Sequence, residues 1–428
     1  MLRTVKAKKT ILVNGPSSIT LLKGKVNAIG AILEYKEKII VRKGRRLPIE
    51  IKEQSQLKIV TGVGGYIDEV EGSTIPEGWE EIVNEIKKIS KPRTVMILGN
   101  VDSGKTTFSI FLTNALVSTS EIAIIDADIG QSDIGPPTTI GLGMVKKPIT
   151  DLFTINPEKL RFIGLTTPNS VEDEIIHELN EIHKSVKDAG IETVIINTDG
   201  WVMGKEARNF KVSLVERISP DIVIGFKDNN GMEKILEDLK EKGVRAEGIY
   251  SSLAVKIRNR DERKSLREQG YKKFLRDAFL RQIPISWVQL ENTFLMSNRF
   301  NIERMKEYSD ILKKKLLYFH EDDENIIFIV KKEDYFNGEE TISPELFGKK
   351  VRIIGEGEEK GLITGLLNEE RVFLGLGIID KIDYQNQILK IHTPYDGKVN
   401  IVRFGQVKID SQGNEMQLTN TFNCESNI

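Results

Sequence analysis

The sequence predicts an α/β fold in which a central parallel sheet is flanked by an N-terminal and a C-terminal all-β domain. Between residues 93 and 283, five apolar runs alternate with helical patterns, as expected for parallel strands covered on both faces. Residues 1–75 and 284–428 are instead series of short β-rich runs separated by Gly, Pro and Asn turns. The pattern G-x-x-x-x-G-K-T follows the first apolar run, which makes the central sheet of the P-loop NTPase type.

These changes along the chain predict four segments. Residues 1–75 form the N-terminal β domain, and a linking helix at 76–92 leads into the P-loop domain at 93–283. Residues 284–428 form a mainly β C-terminal domain with one helical stretch near its start, at 301–315. The predicted parallel strands of the central sheet are residues 93–98, 122–127, 160–165, 193–198 and 221–226.

The composition narrows the class of protein. With 39% hydrophobic and 29% charged residues, the chain of 428 residues is expected to be a soluble globular protein of two or three domains. No apolar run approaches the ~18 residues of a transmembrane helix, and the first residues lack the apolar region of a signal peptide. The single cysteine, Cys424, excludes an internal disulfide and fits the reducing cytoplasm. The net charge of −1 argues against nonspecific coating of nucleic acid but leaves a local basic site open.

Residues 99–107, GNVDSGKTT, have the spacing of a loop that binds nucleotide phosphates. Two glycines let the backbone turn so that successive N–H groups point at phosphate oxygens. Lys105 adds a charge near the β and γ phosphates, and the Thr106 hydroxyl can ligate Mg²⁺. A strand before the loop and a helix at 105–117 after it aim the helix N-terminus at the anion. The predicted nucleotide-binding residues are Gly99, Asn100, Val101, Asp102, Ser103, Gly104, Lys105, Thr106 and Thr107.

Two acidic residues follow the second apolar run. Asp126 and Asp128 stand two apart, and if the chain is still extended there, their side chains share one face. A P-loop enzyme needs an acidic group here to hold Mg²⁺, and transfer to a hydroxyl needs a group that accepts its proton. One aspartate can serve each task. The alternative is that one of the two only caps a turn.

The fourth apolar run ends in Thr198, Asp199, Gly200 and Trp201, an unexpected sequence for the end of a strand. Gly200 permits the backbone to approach another group closely. Trp201 stands at the functional edge of the sheet, where an indole offers a flat stacking surface for a base. A tryptophan that belongs to the core is the equally weighted alternative.

Residues 256–281 are the strongly basic stretch of the chain, with ten Lys or Arg against four Asp or Glu. Arg263 and Arg267 are spaced i, i+4, so on a helix both guanidinium groups point the same way. Two such groups suit phosphate binding and can neutralise the charge that develops on a transferring phosphoryl group. A solvated, salt-bridged helix face is the alternative, which the excess of positive charge weakens.

The histidines and the cysteine show no metal-ligand spacing. His177 and His183 fall in a charged helical pattern at 171–189 and are expected at the surface.

Together these motifs resemble those of the archaeal polynucleotide 5′-hydroxyl-kinases, which are related to the RNA kinase subunit of the eukaryotic pre-mRNA 3′-end cleavage machinery. The family's Walker A pattern, G-x-x-D-x-G-K-[ST]-T, matches residues 99–107, and its D-x-G-Q pattern matches 128–131. Its clasp, T-x-G-W, matches 198–201, and its lid, R-x-x-x-R, matches 263–267. The resemblance covers nearly the whole chain in three-domain order.

The resemblance implies transfer of the γ-phosphate of ATP or GTP to the 5′-hydroxyl of RNA, with DNA left open as an acceptor. Lys105 and Thr106 would hold the triphosphate and Mg²⁺, Asp128 would activate the hydroxyl, and Arg263 and Arg267 would close over the phosphates. No protein partner follows from it.

For the acceptor strand, the resemblance implies a binding surface that includes Trp201. Asp126 lies outside the D-x-G-Q pattern, so its assignment to the metal rests on spacing alone. The residues predicted to bind the acceptor are Gln131, Thr198, Gly200 and Trp201.

Two other functions are open. One is a scaffold that holds ATP without turnover inside an RNA-processing complex, and the other is a regulatory NTPase. Intact Lys105, Asp128 and lid arginines argue against a dead enzyme. A regulatory NTPase must position water, whereas a kinase must exclude it.

Overall fold

A computed structural model of the chain describes residues 1–228, 230–295, 302–335 and 348–416. The chain divides into two compact units, Met1–Gly270 and Tyr271–Ile428. Cys424 lies outside the described residues. Within the described ranges, no helix combines the length and the apolar character needed to cross a membrane.

The first unit begins with two antiparallel sheets. Residues 1–71, all of them described, form β1 (Leu2–Val5), β2 (Lys9–Asn14), β3 (Ser17–Lys23), β4 (Val26–Ala28), β5 (Ala31–Ile32), β6 (Lys38–Val41), β7 (Arg46–Ile51), β8 (Ser55–Thr61) and β9 (Tyr66–Glu71). The spatial orders are β1-β8-β3-β6 and β5-β4-β7-β2-β9. Along β3 and β7 every second side chain is buried, as expected for strands with one face on a core.

The linking helix α1 (Glu77–Lys88) packs one apolar stripe against the core of this unit. Trp79, Val83 and Ile86 repeat at i, i+4 and i+7 and are all buried. The Trp79 indole N–H donates to the Tyr250 carbonyl at 2.9 Å, and its ring meets Phe108 edge to face at 5.1 Å. The helix is therefore held in place by side-chain packing as well as by the chain segments before and after it.

The central sheet has seven strands in the described part of the chain. They are β10 (Arg93–Leu98), β11 (Ile122–Ala127), β12 (Thr139–Val145), β13 (Lys159–Phe162), β14 (Thr193–Thr198), β15 (Ile222–Phe226) and β16 (Ala246–Ile249). The order is β13-β12-β11-β14-β10-β15-β16, and the last five are parallel. All residues of β10, β11, β14 and β15 are buried, which explains their nearly continuous apolar sequences.

One predicted parallel strand is wrong in its direction. The run at 160–165 overlaps β13, which pairs antiparallel with β12, and β12 pairs antiparallel with β11. The sequence of β12, TIGLGMV, was not predicted to be a strand, because its two glycines weaken the β pattern. Since β12 returns directly beside β11, the sheet is mixed at this edge.

Helices cover both faces of the central sheet. They are α2 (Lys105–Leu116), α3 (Glu172–Asp188), α4 (Lys205–Ile218) and α5 (Asn230–Glu241). A further helix, α6 (Arg260–Phe274), follows β16. One core joins the N-terminal sheets, α1, α2 and one face of the central sheet, and a second joins the other face to α3, α4 and α5. The N-terminal strands therefore share a continuous core with the P-loop segment.

His183 in α3 is a correction to the surface position expected from the sequence. It is buried, and its Nε2 lies 2.9 Å from the Thr94 hydroxyl of β10. Burial lowers its pKa to about 4, so the ring is neutral at pH 7. His177, six residues earlier in the same helix, is exposed as expected.

The second unit is mainly β. Its described elements are β17 (Phe279–Pro284), β18 (Gln289–Glu291), α7 (Ile302–Leu312), β19 (Leu316–Glu321), β20 (Asn325–Val330), β21 (Lys350–Gly355), β22 (Leu362–Leu367), β23 (Phe373–Asp383), β24 (Ile388–Thr393) and β25 (Ile401–Lys408). They form a sheet of order β17-β24-β23-β22-β25-β18 and a smaller one of order β19-β20-β21. The α/β core with flanking β segments confirms the predicted fold class, whereas the domain limits at 75, 92 and 283 stay a prediction.

Candidate active site

The loop 99–104 turns tightly between β10 and α2, and both of its glycines are needed for the turn. Gly104 has φ +97°, a left-handed conformation that side chains rarely adopt. A Cβ on Gly99 would lie 2.7 Å from Ser103 Oγ and 2.9 Å from Phe226 Cβ. The loop therefore has the backbone geometry that its sequence pattern predicts.

Lys105 lies at the start of α2 with its ammonium group held by the loop itself. Its Nζ donates to the carbonyl oxygens of Gly99 at 2.9 Å and Asn100 at 2.8 Å. Burial lowers the pKa of this ammonium, and the nearby Asp128 carboxylate opposes that shift. The Lys105 charge therefore lies at the end of the loop, close to the Asp128 carboxylate.

Asp126 and Asp128 do not share an open face, because β11 ends between them at Ala127. Asp126 is 1% exposed and accepts hydrogen bonds from the Asp133 N–H at 2.7 Å and the Asn197 side chain at 3.0 Å. Asp128 lies beyond the strand and faces a cavity, where it accepts from the Gln131 N–H at 3.0 Å. The two aspartates therefore have different surroundings, as two separate tasks would require.

Burial raises the pKa of both groups. The pKa of Asp126 rises to about 7 through burial and the nearby Asp133 carboxylate. The pKa of Asp128 rises to about 6 through burial, which the charge of Lys105 opposes. A carboxyl group that titrates near neutral pH can accept and release a proton under physiological conditions.

Thr106 lines the cavity, and its hydroxyl oxygen is a suitable ligand for a Mg²⁺ ion. The Asn197 amide nitrogen lies 3.5 Å from the Thr106 hydroxyl, and Asn197 Oδ1 is buried without a hydrogen-bond partner. Hydroxyl, amide and carboxylate oxygens are the ligands that this hard cation prefers. Asp126 bonds to the Asn197 side chain and neither residue lines the cavity, so the carboxylate predicted at the metal lies behind the cavity wall.

Of the clasp residues 198–201, Thr198 is buried behind the cavity wall, whereas Gly200 and Trp201 line the cavity. Thr198 is fully buried, does not line the cavity, and donates its hydroxyl hydrogen to the Ile97 carbonyl at 2.8 Å. Gly200 approaches the loop, since a Cβ there would lie 2.7 Å from Val101 N. Trp201 lines the cavity while its ring packs on Phe210 with centroids 5.9 Å apart. Trp201 thus contacts the core on one side and the cavity on the other, and its stacking on a base stays a prediction.

The basic helix α6 is attached to the phosphate-binding loop through Asp102. The Asp102 carboxylate accepts hydrogen bonds from the Arg258 guanidinium at 2.6 Å, from the Arg258 backbone N–H at 2.9 Å and from the Arg263 guanidinium at 3.4 Å. Arg263 also donates to the Arg258 carbonyl at 2.5 Å. Arg263 and Arg267 both line the cavity, as their i, i+4 spacing on a helix predicts.

These elements enclose one cavity of about 700 Å³. Among the described residues that line it, the cationic side chains outnumber the carboxylates five to three. The cations are Arg45, Lys105, Arg258, Arg263 and Arg267, and the carboxylates are Asp102, Asp128 and Asp199. A net positive cavity of this size at the carboxyl ends of parallel strands suits a nucleoside triphosphate.

Sequence reasoning missed several residues that the fold brings here. Arg45 comes from the N-terminal sheets and pairs with Asp133. Arg258 belongs to the basic stretch, but its position five residues before Arg263 gave no periodic signal. Of the predicted site residues, Gly99, Asp126 and Thr198 support the cavity wall from behind and do not line it.

Comparison with known proteins gives the same assignment of the fold. Residues 99–277 match the family described as mRNA cleavage and polyadenylation factor CLP1 P-loop. The fold is similar to that of a chain in the wild-type Clp1p–Pcf11p (454–563) complex, with a TM-score of 0.67 and 12% identity. That similarity covers 95% of this chain and 97% of the other.

Curated relatives of similar sequence are kinases. A polyribonucleotide 5′-hydroxyl-kinase of Methanocaldococcus jannaschii is 31% identical over 351 residues, which are 80% of this chain and 94% of the relative. A polyribonucleotide 5′-hydroxyl-kinase of Pyrococcus furiosus is 28% identical over 351 residues, covering 80% and 95%. A human polynucleotide 5′-hydroxyl-kinase matches over 189 residues only, at 26% identity, covering 42% of this chain and 26% of that protein. The match along almost the full length of the Methanocaldococcus jannaschii protein shows that the chain belongs to the family of archaeal polyribonucleotide 5′-hydroxyl-kinases.

Proposed function

We propose that this protein transfers the γ-phosphate of ATP or GTP to the 5′-hydroxyl of RNA, with DNA as a second acceptor to be tested. The observation that carries the proposal is the meeting of Asp128, Lys105, the lid arginines and Trp201 around one cavity. A base, a phosphate-binding cation, charge-neutralising guanidinium groups and a stacking surface are the parts that such a transfer needs.

The reaction forms one bond and breaks one. The 5′-hydroxyl oxygen of the acceptor attacks the γ-phosphorus, the bond from that phosphorus to the β–γ bridging oxygen breaks, and the nucleoside diphosphate leaves. Asp128 takes the proton of the hydroxyl. The raised pKa of its carboxyl group, about 6, makes it a stronger base than an exposed aspartate.

The loop and the lid hold the triphosphate. The N–H groups at the start of α2 face the phosphates, and Lys105 moves from its two carbonyl partners toward the β and γ oxygens. Arg263 and Arg267 neutralise the charge on the transferring group. Thr106 would hold Mg²⁺, with Asn197 beside its hydroxyl and Asp126 bonded to Asn197, and the ion would supply charge neutralisation at the phosphate oxygens.

The acceptor end lies against Trp201 and Gln131, which line the cavity on the side of Asp128. Thr198 supports this surface from behind through its bond to β10, and Gly200 lines the cavity where it packs on the loop. We also propose a cytoplasmic location, because a single cysteine fits a reducing compartment.

The test uses γ-³²P-labelled ATP, Mg²⁺ and two RNA oligonucleotides that differ only in a 5′-hydroxyl or a 5′-phosphate. We expect label on the 5′-hydroxyl strand alone. Bound ATP with no label on either strand would replace the proposal with the nucleotide-holding scaffold. Fast release of free phosphate without acceptor would replace it with the regulatory NTPase.

A further inference from the structure

Lys211 is a fully buried lysine of α4 that the proposed reaction does not use. Its exposed fraction is 0%, and its Nζ donates to Asp199 Oδ2 at 2.5 Å. The same ammonium lies 4.8 Å from the centroid of the Phe210 ring. The charge is therefore placed under the clasp, between a carboxylate and an aromatic ring.

Asp199 links this lysine to the acceptor side of the cavity. Its second oxygen, Oδ1, accepts from the Trp201 N–H at 2.8 Å, and the residue lines the cavity beside Trp201. Phe210, the neighbour of Lys211 in the helix, packs against the Trp201 indole. Two adjacent residues of α4 thus hold the clasp, Lys211 through its ammonium group on Asp199 and Phe210 through its ring on Trp201.

The choice of a lysine here is not explained by stability. Taking an ammonium out of water is costly, and a buried ion pair is often no more stabilising than a well-packed apolar pair. The ion pair instead orients Asp199, because a short hydrogen bond from Lys211 Nζ fixes the direction in which the Asp199 carboxylate faces. Without Lys211, that carboxylate can turn toward the nearby Lys105 ammonium and release the Trp201 N–H.

We propose that Lys211 is a positioning residue for acceptor binding. Through Asp199 it fixes the clasp turn, so that Trp201 presents its indole face to the terminal base of the acceptor strand. The inference deepens the proposed function and rests on it. It predicts a defect in acceptor binding that leaves nucleotide binding intact.

The test compares Lys211→Met with Arg208→Met, a matched control on the same helix. Arg208 pairs with Asp238 and does not line the cavity. We expect Lys211→Met to raise KM for a 5′-hydroxyl oligonucleotide about 10-fold, as partial loss of one base stack would, with KM for ATP changed less than about twofold. Arg208→Met should change neither. Equal effects of Lys211→Met on both KM values would overturn the proposal.

A double variant separates positioning from the burial of an unpaired charge. Asp199→Asn with Lys211→Met removes both charges, so the cost of burying an unpaired carboxylate is gone. We expect this variant to regain thermal stability relative to Lys211→Met while the raised acceptor KM persists. Recovery of a normal acceptor KM would mean that Lys211 only neutralises the charge of the Asp199 carboxylate.

Tryptophan fluorescence gives a readout that does not need turnover. In a Trp287→Phe background, Trp79 is 1% exposed and out of reach of acrylamide, so quenching reports on Trp201. We expect an oligonucleotide to protect Trp201 from acrylamide in this background and to lose that effect when Lys211→Met is added. Protection that survives Lys211→Met would overturn the inference. Protection in a protein that transfers no phosphate would leave the inference standing and remove the kinase proposal.

Discussion

Burial and a neighbouring positive charge have opposite effects on the pKa of the Asp128 carboxyl group. Burial disfavours the anion, while the Lys105 ammonium favours it, and the result is a pKa of about 6. A general base must be deprotonated to act, so it is inactive below this pKa and active above it. The proposed base would therefore be largely deprotonated at neutral pH.

The first prediction is a pH profile. We expect kcat/KM for the oligonucleotide to rise with pH through an apparent pKa of about 6 and then to level off. Asp128→Asn should remove this rise and lower turnover by roughly two to four orders of magnitude, with ATP affinity within a few fold. Initial rates from pH 5 to 8 with Mg²⁺ fixed would measure both effects.

The control for Asp128 is a carboxylate outside the cavity, Glu192, which pairs with Lys91 at the protein surface. Glu192→Gln should leave the profile unchanged. A near-normal rate for Asp128→Asn would show that another group accepts the proton, and Asp126 is the next residue to substitute.

The second prediction concerns Trp201. Stacking of a base on an aromatic side chain contributes ~1–3 kcal/mol, so Trp201→Ala should raise KM for the oligonucleotide by about 5- to 150-fold. KM for ATP should change much less, because the phosphate-binding loop is untouched. Steady-state kinetics with each substrate varied in turn would measure the two values.

Trp287→Ala is the matched control for Trp201, since Trp287 is 75% exposed in the second unit. It should change neither KM value. If Trp201→Ala raises both KM values equally, the contact with Phe210 is its main role and the tryptophan belongs to the core.

At the scale of elements, the lid is joined to the phosphate-binding loop by Asp102. Asp102 has φ +57°, a left-handed conformation that aspartate and asparagine tolerate better than most residues. Residues 256–263, which lead into the lid, are thus held by one carboxylate that contacts both Arg258 and Arg263. Because the attachment is electrostatic, a bound triphosphate can compete for the same guanidinium groups.

The third prediction tests this attachment with Asp102→Asn, which keeps the backbone conformation and removes the charge. Hydrogen bonds to charged groups contribute about 1.5–3 kcal/mol, so amide hydrogen exchange in residues 256–263 should speed up by about 10- to 150-fold. Asp261→Asn on the exposed side of the same segment is the control. Unchanged exchange in Asp102→Asn would mean that packing alone holds the lid.

Local patterns in the sequence predict the parts of this fold that contiguous residues determine. The phosphate-binding loop, the helix at 172–188 and the buried parallel strands each carry their own signal in one stretch. The surroundings of Asp126 carry none, because Asn197 and Asp133 reach it from other strand ends. The burial of Lys211 in α4 likewise has no signal in the sequence, because the residues around it do not show that its side chain is buried.

At the scale of the whole molecule, the N-terminal sheets belong to the site as well as to the shared core. Arg42 bonds to both Asp133 and Asp151, and Arg45 pairs with Asp133 as well. The two carboxylates raise the pKa of Arg42 despite its burial. Since the Asp133 N–H also bonds to Asp126, the N-terminal strands are connected through one residue to the predicted metal site.

The last prediction follows from this connection. Arg42→Met leaves Asp133 and Asp151 with less positive charge in a buried position, and removing one partner of a buried pair costs about 3–5 kcal/mol. We expect a clearly lower thermal midpoint for the variant and a higher Mg²⁺ requirement for phosphoryl transfer, because a displaced Asp133 no longer orients Asp126. Lys43→Met, an exposed neighbour in the same turn, should change neither. Lower stability with an unchanged Mg²⁺ requirement would show that Arg42 fastens the N-terminal sheets without influencing the metal site.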